Sequence, residues 1–355
     1  MRNRETTAVT KPAPKVSVVC AWYNRADYIR DTIDSILAQD FDDFEMVVVN
    51  DGSPDPRVRQ LLDGYDDPRL RVIHQENRGF TPTIRRAIQE SRGELIAVQG
   101  AGDISLPQRL GRQVAALEQD GAAVGSGTSH ENIMIGGRTD GLRLVVDFPF
   151  DEVTRRELLQ QIGSPLNHGD LMYRRSVYDR VGGYRPFFRF GQDFDLTLRM
   201  SRYGHFRICR EVLYQRMVFF ADGIASQVDR SLAQLKYAEI AKGCVAEVDR
   251  WGSDVVDIFG ANAGLFLKPS GFIARAKAKT ALKYLRMGHF EDGAYLAEVA
   301  MREKAVPLAV AARIMAWACR FPVSRKLVSQ VVGMIPMKDR REFSLLVSRR
   351  IGNAE

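Results

Sequence analysis

The sequence predicts an α/β protein: a doubly wound, mostly parallel sheet of Rossmann-like type, followed by a small C-terminal α-helical region. Three observations predict it. Between Val16 and Val98, four short apolar runs alternate with segments of helical periodicity, as buried parallel strands and their crossover helices do. Each run ends in a polar cluster, and a sheet of this kind gathers such clusters along one edge. From Ser270 onward the pattern becomes three closely spaced helical segments, punctuated by Gly288 and Pro307, which is the spacing of a compact bundle.

The first run, Val16 to Ala21, ends in Trp22-Tyr23-Asn24-Arg25, and Ile33, Ile36 and Leu37 then recur at helical spacing. Glu45 to Asn50 is the second run, followed directly by Asp51-Gly52-Ser53, with a short helix over 57–63. Leu70 to Ile73 leads into Glu76-Asn77-Arg78-Gly79, and a helix is expected from Pro82 to Ser91. The fourth run, Leu95 to Val98, breaks at Gly100-Ala101-Gly102-Asp103 and restarts as a helix with Pro107 suited to its first turn. Beyond it come a helix to Asp120, the run Ala122 to Gly125, and an irregular stretch over 128–166 that periodicity does not resolve. A strand at Leu171 to Tyr173 and helices over 174–181 and 192–200 complete this part. The expected organisation is a lead-in over 1–14, a sheet domain over 15–225, a connecting helical segment over 226–267 and a basic helical region over 268–355.

Charge follows the same division. Residues 268–355 carry 17 Lys/Arg against 7 Asp/Glu, whereas the first 267 residues carry 34 against 37. The basicity therefore belongs to the C-terminal helices and not to a nucleic-acid-binding surface on the sheet. It suits contact with an anionic membrane surface or a solvated bundle face. The four cysteines are scattered with no CxxC pair, which argues against a disulfide framework or structural zinc. The polar N-terminus lacks the apolar core of a signal peptide, so a cytoplasmic protein is expected.

The polar ends of successive runs suit a nucleotide. Tyr23 can stack on a base, and Asp51 can accept from a base or ribose. Phosphates can be neutralised by Arg78, or by a cation held at Asp103. No GxGxxG follows the first run and no GxxxxGK[ST] occurs, so dinucleotide and P-loop chemistry are disfavoured. On the 192–200 helix, Asp193 begins the stripe shared by Leu196, Thr197 and Met200, where a helix N-terminus favours an anion. Asp195 and Arg199 are spaced i,i+4 and can pair locally.

VSVVCAWYNR, VVVNDGSPD, NRGF, the Leu95–Arg109 stretch and GQDFDLTLRM occur in the order and spacing of family 2 glycosyltransferases, which the chain resembles over roughly residues 14–220. That resemblance implies the GT-A fold and transfer of a hexosyl group, with inversion, from a nucleotide-sugar donor, usually a UDP-sugar. The acceptor would be glycan, lipid-linked or protein-linked, in polysaccharide or related synthesis. It further implies that Ala21, Tyr23 and Asn24 line the nucleotide, that Asp51 contacts base or ribose, and that Asp193 is the acceptor-activating carboxylate. Gln192 stands where the family has Glu, and with His168 is a candidate for the acceptor site. The family's Asp-x-Asp, which holds Mn2+ or Mg2+, is here Gly100-Ala101-Gly102, with Asp103 the one acid kept. The sequence thus leaves open whether a divalent cation or a guanidinium holds the diphosphate. It also raises the alternative of a catalytically degenerate binding or assembly subunit. Either form is expected in the cytoplasm, peripheral at the inner face of the membrane.

Overall fold

The computed structural model describes residues 12–160, 164–219, 224–334 and 347–350. Most of the expected lead-in, and residues 335–346 and 351–355 of the basic tail, lie outside the described residues. The chain divides into two units, Met1–Phe220 with Leu346–Glu355, and Ala221–Leu345.

The first unit opens with the expected repeat: β1 (Val16–Trp22), α1 (Ile29–Leu37), β2 (Phe44–Asp51), α2 (Pro56–Asp63), β3 (Leu70–Gln75), α3 (Phe80–Gln89) and β4 (Leu95–Val98). Local chemistry sets the boundaries. At α2, for example, Pro56 takes the first helical position and the Asp55 carboxylate accepts from Arg57 N, satisfying an amide the helix leaves open. β1 pairs in parallel with β2 and β4, and β2 with β3. Val18, Cys20 and Trp22 of β1 are buried with Ile29, Ile33 and Ile36 of α1. Each such aliphatic side chain contributes about 1.5–3 kcal/mol by leaving water.

The second half of the sheet is mixed. It contains β5 (Ile104–Ser105), α4 (Arg109–Gln119), β6 (Ala123–Ile135), β7 (Arg143–Asp147), β8 (Glu152–Val153), α5 (Arg155–Gln160), β9 (Met172–Arg174), α6 (Arg175–Arg180), α7 (Gln192–Met200) and β10 (His205–Phe219). β9 is antiparallel to both β4 and β6, while β10 runs parallel to β6. A last strand, β11 (Val347–Arg350), pairs with β7. The stretch that periodicity left unresolved contains the second half of β6, all of β7 and β8, and α5. The 15-residue β10 was not foreseen at all. Arg207, Arg210, Glu211 and Arg216 interrupt its alternation, and pairing with β6 supplies what local pattern does not.

The second unit is helical: α8 (Ile224–Trp251), α9 (Val255–Phe259), α10 (Gly271–Arg286), α11 (Phe290–Glu303), α12 (Pro307–Ala318) and α13 (Pro322–Met334). Its core is a seam of Ala274, Ala278, Ala281, Ala297, Ala300, Ala309 and Ala312, filled out by Leu282, Leu285 and Leu296. Small side chains let the helices approach closely, so little leucine suffices. Among the described residues no helix is long and apolar enough to cross a membrane.

Candidate active site

Register brings the polar clusters to one edge. Trp22 lies opposite Asn50, and Asp51 opposite Gln75. Gln99 N donates to Val19 O (2.9 Å), so the chain leaving β4 turns beside the end of β1. Asn24 and Arg25, just past β1, both adopt left-handed backbone (φ 55° and 56°). Two consecutive non-glycine residues in that region are costly, and such strain concentrates at functional edges. The bend is held by Asn24 N donating to Ser53 Oγ (2.9 Å), which in turn donates to Asn50 Oδ1 (2.7 Å).

The expected nucleotide residues are distributed unevenly along this edge. Tyr23 is exposed and Ala21 half-buried. The Asn24 side-chain oxygen is buried with no partner among the described residues. Arg78 is exposed, and its side chain forms no hydrogen bond or ion pair among the described residues. Asp51 is buried, and both its oxygens are engaged. Oδ1 accepts from Gln75 Nε2 (2.7 Å) and Arg78 N (2.8 Å), and Oδ2 accepts from Gly79 N (2.9 Å). Asp51 therefore shapes the Asn77–Gly79 loop and carries Arg78, a duty the sequence did not reveal.

Asp103, expected to reach a metal or a diphosphate, is turned inward. Its Oδ2 accepts from the Tyr214 hydroxyl (2.7 Å) and its Oδ1 from Met217 N (2.8 Å). Burial pushes its carboxyl pKa up, against those two hydrogen bonds. The Tyr214 hydroxyl oxygen in turn accepts from Gly100 N (2.9 Å). The space is full: a Cβ on Gly100 would collide with Asp103 Oδ2, and one on Gly169 with the Tyr214 hydroxyl. Beneath them the buried Arg109 donates to Val98 O (2.7 Å) and Ser105 Oγ (2.8 Å), with its guanidinium 5.0 Å from the Tyr214 ring centre. This donor set does not suit Mn2+ or Mg2+. One buried carboxylate, each oxygen already accepting from the protein, with glycines where further acids would stand, falls short of the roughly six or more oxygens a hard cation requires. Among the described residues no group of three His, Cys, Asp or Glu could hold a metal ion.

Asp193 is the opposite case. It is half-buried in the first turn of α7, after Gly191 at φ 63°. Its carboxylate makes no hydrogen bond or ion pair among the described residues. Asp195, two residues on, is fully clamped: Arg199 donates to Oδ2 through Nε (3.1 Å) and Nη2 (2.6 Å), and Arg185 holds the other side. The Asp193 charge acts on His168, whose Nε2 pairs with the Tyr184 hydroxyl at 2.6 Å and whose ring meets Phe80 edge-on at 5.3 Å. Burial lowers the His168 pKa, with the Asp193 charge opposing and Arg216 adding to the fall. Gln192 is half-buried at the start of the same helix.

Tyr214, Gly169, Tyr184, Arg25 and Arg216 belong to this site and were not singled out by sequence. Tyr214 and Arg216 sit on the unforeseen β10, and Gly169 differs from an ordinary loop glycine only by what packs against it.

Residues 17–182 match the family model described as glycosyl transferase family 2. EpsE of Bacillus subtilis (strain 168), whose name assigns it provisionally as a glycosyltransferase, is 30% identical over 198 residues, covering 54% of this chain and 68% of that one. Among solved structures, S. aureus TarS 1–349 is 15% identical with a TM-score of 0.52, covering 89% of this chain and 90% of that one. The same protein in complex with UDP-GlcNAc is 16% identical with a TM-score of 0.51, over 89% and 90% of the two chains. At that identity the likeness concerns the fold, which is the GT-A arrangement of a mixed sheet with flanking helices.

Proposed function

Because this chain belongs to glycosyl transferase family 2, we propose that it transfers a hexosyl group from a nucleotide-sugar donor, a UDP-sugar first, to a hydroxyl of a glycan or lipid-linked acceptor, with inversion. The observation that carries this reading is the half-buried Asp193 carboxylate at the start of α7, which makes no hydrogen bond or ion pair among the described residues. In the reaction the acceptor oxygen bonds to the anomeric carbon as the bond from that carbon to the diphosphate oxygen breaks. Asp193 takes the acceptor's proton. His168, fixed by Tyr184, and Gln192 border the acceptor. Tyr23, Asn24 and the Arg78 loop carried by Asp51 border the nucleotide. A UDP-sugar is preferred because the fold neighbour TarS is described with UDP-GlcNAc. The degenerate alternative is not favoured, since the base position is both kept and open.

Nucleoside diphosphate release from UDP-hexoses and GDP-mannose tests this. Wild type is expected to release product, and Asp193→Asn to lose about 10²–10⁴-fold of that rate without loss of folding. Absence of release from every donor, or an unchanged rate in the variant, overturns the reading.

For the acceptor side we propose a peripheral position on anionic lipid at the cytoplasmic face. On α12 and the turn after it, Val310, Ile314, Trp317 and Phe321 are 39–60% exposed. On α13 Val323, Leu327 and Val331 are exposed as well. Residues 305–337 hold four Lys/Arg and no acid. Exposed apolar and aromatic side chains on a segment with basic and no acidic residues match the interface of an anionic bilayer. The chain should co-sediment with phosphatidylglycerol-containing vesicles and not with pure phosphatidylcholine. Binding should fail for the Trp317→Glu, Phe321→Glu pair. Self-association without vesicle binding would instead assign the face to a second copy of the chain.

A further inference from the structure

The turn that fails as a metal site is flanked by two arginines. Arg25 leaves β1 in the left-handed backbone described above, and its Nη1 donates to Ala101 O at 2.6 Å. Its guanidinium lies 4.0 Å from the centre of the Phe219 ring. That stacking fixes the plane of the fork and leaves further N–H donors free. Arg216 lies on β10, two residues after Tyr214 and one before Met217, the pair that binds Asp103. Strand alternation puts its side chain on the same face as Tyr214. It is exposed and makes no hydrogen bond or ion pair among the described residues. The two guanidiniums are close enough to act on each other and on Asp103. Arg216 also acts on His168, beside the Asp193 carboxylate. Two cations thus flank a turn with one buried carboxylate, each of whose oxygens already accepts from the protein.

We propose that Arg25 and Arg216 hold the donor's diphosphate and stabilise it as it leaves, so that this chain needs no divalent cation there. Guanidinium forks match paired phosphate oxygens in charge and geometry. Preorganised positive charge at the leaving oxygens does what a metal ion would otherwise do. The Asp103–Tyr214 lock has a role in this account. It occupies the place of the missing acids and anchors β10 so that Arg216 is carried to the edge. The inference rests on the nucleotide-donor reading but predicts an anion site that can be probed without a base.

Calorimetric titration tests it with UDP, GDP, UMP and inorganic pyrophosphate, each in EDTA and in Mn2+. In EDTA, UDP or GDP and pyrophosphate are expected to bind about as tightly as in Mn2+. Arg216→Ala should weaken diphosphate and pyrophosphate binding by about tenfold or more, the worth of a charge-assisted contact. UMP should lose less, and the melting temperature should stay unchanged because Arg216 is exposed. Arg216→Lys should recover part of the loss, and Arg25→Ala should weaken the same ligands. Binding that vanishes in EDTA while Arg216→Ala behaves as wild type overturns the inference. Pyrophosphate bound through Arg216 with neither nucleotide bound would leave the anion site standing and remove the nucleotide reading. No binding of pyrophosphate or nucleotide in EDTA removes the anion site.

Discussion

At the end of β4 a carboxylate is enclosed by the protein, and at the start of α7 one is left open. Asp103 accepts from a tyrosine hydroxyl and a backbone amide and sits between glycines that exist to admit it. Asp193 has no hydrogen bond or ion pair among the described residues, and its charge acts on His168. Both were singled out from sequence, Asp103 at the ligand-binding end of a strand and Asp193 at a helix N-terminus. The difference teaches that position on the edge does not decide function; whether the carboxylate's lone pairs are already engaged does. The same contrast recurs within α7, where Asp195 is clamped by two arginines two residues from the open Asp193.

The largest effect that tests the contrast is on stability. Asp195→Ala leaves Arg185 and Arg199 buried around an empty space, and losing one partner of a buried ion pair costs about 3–5 kcal/mol. Asp193→Asn should leave the urea midpoint within experimental error of wild type while depressing transfer. If the two variants unfold alike, Asp193 is structural and the distinction between them collapses.

Much of this was legible in the chain. The four strand-and-helix repeats, the α7 helix and the acid at its start follow from periodicity and cap chemistry, which are local. What was not legible depends on contacts between distant segments. Tyr214 is 111 residues from the Asp103 it binds, on a strand whose arginines mask its alternation. Gly100 and Gly169 look like loop glycines until their neighbours are known. Asp51 reads as a base or ribose contact, yet its oxygens organise a loop 27 residues later.

A second test restores the carboxylate that the family carries at the first glycine. Gly100→Asp forces a side chain into space filled by Asp103 Oδ2 and the Tyr214 hydroxyl. Overpacking of this kind costs about 1–3 kcal/mol, and a second buried carboxyl adds to it. The variant should lower the urea midpoint and gain no Mn2+ affinity by calorimetry. Tight Mn2+ binding with unchanged stability would show that the turn is a metal site lacking only its ligands, and would set Asp103 beside Asp193 as an available group.

The smallest effect separates a third acid from both. Asp170 is fully buried, with Asn167 Nδ2 at 3.3 Å and His130 Nδ1 at 3.6 Å. Burial raises its pKa to about 7, against the pull of Arg109, while burial lowers His130 to about 4. Between the ordinary carboxyl value near ~4 and about 7, the folded state holds a proton on Asp170 that the unfolded state has released. Its contribution to stability therefore falls as pH rises through that window. His130 works in the opposite sense between about 4 and 6.5, because there the unfolded state binds the extra proton. The two partly cancel in wild type, so the signature of Asp170 is a difference between proteins. Relative to wild type, Asp170→Asn should gain stability steadily from pH 5 to pH 7 and no further above pH 8, read as urea midpoints at each pH. A constant offset would mean that Asp170 is ionised throughout, held as an ion pair with His130, and that enclosure alone does not neutralise an acid in this fold.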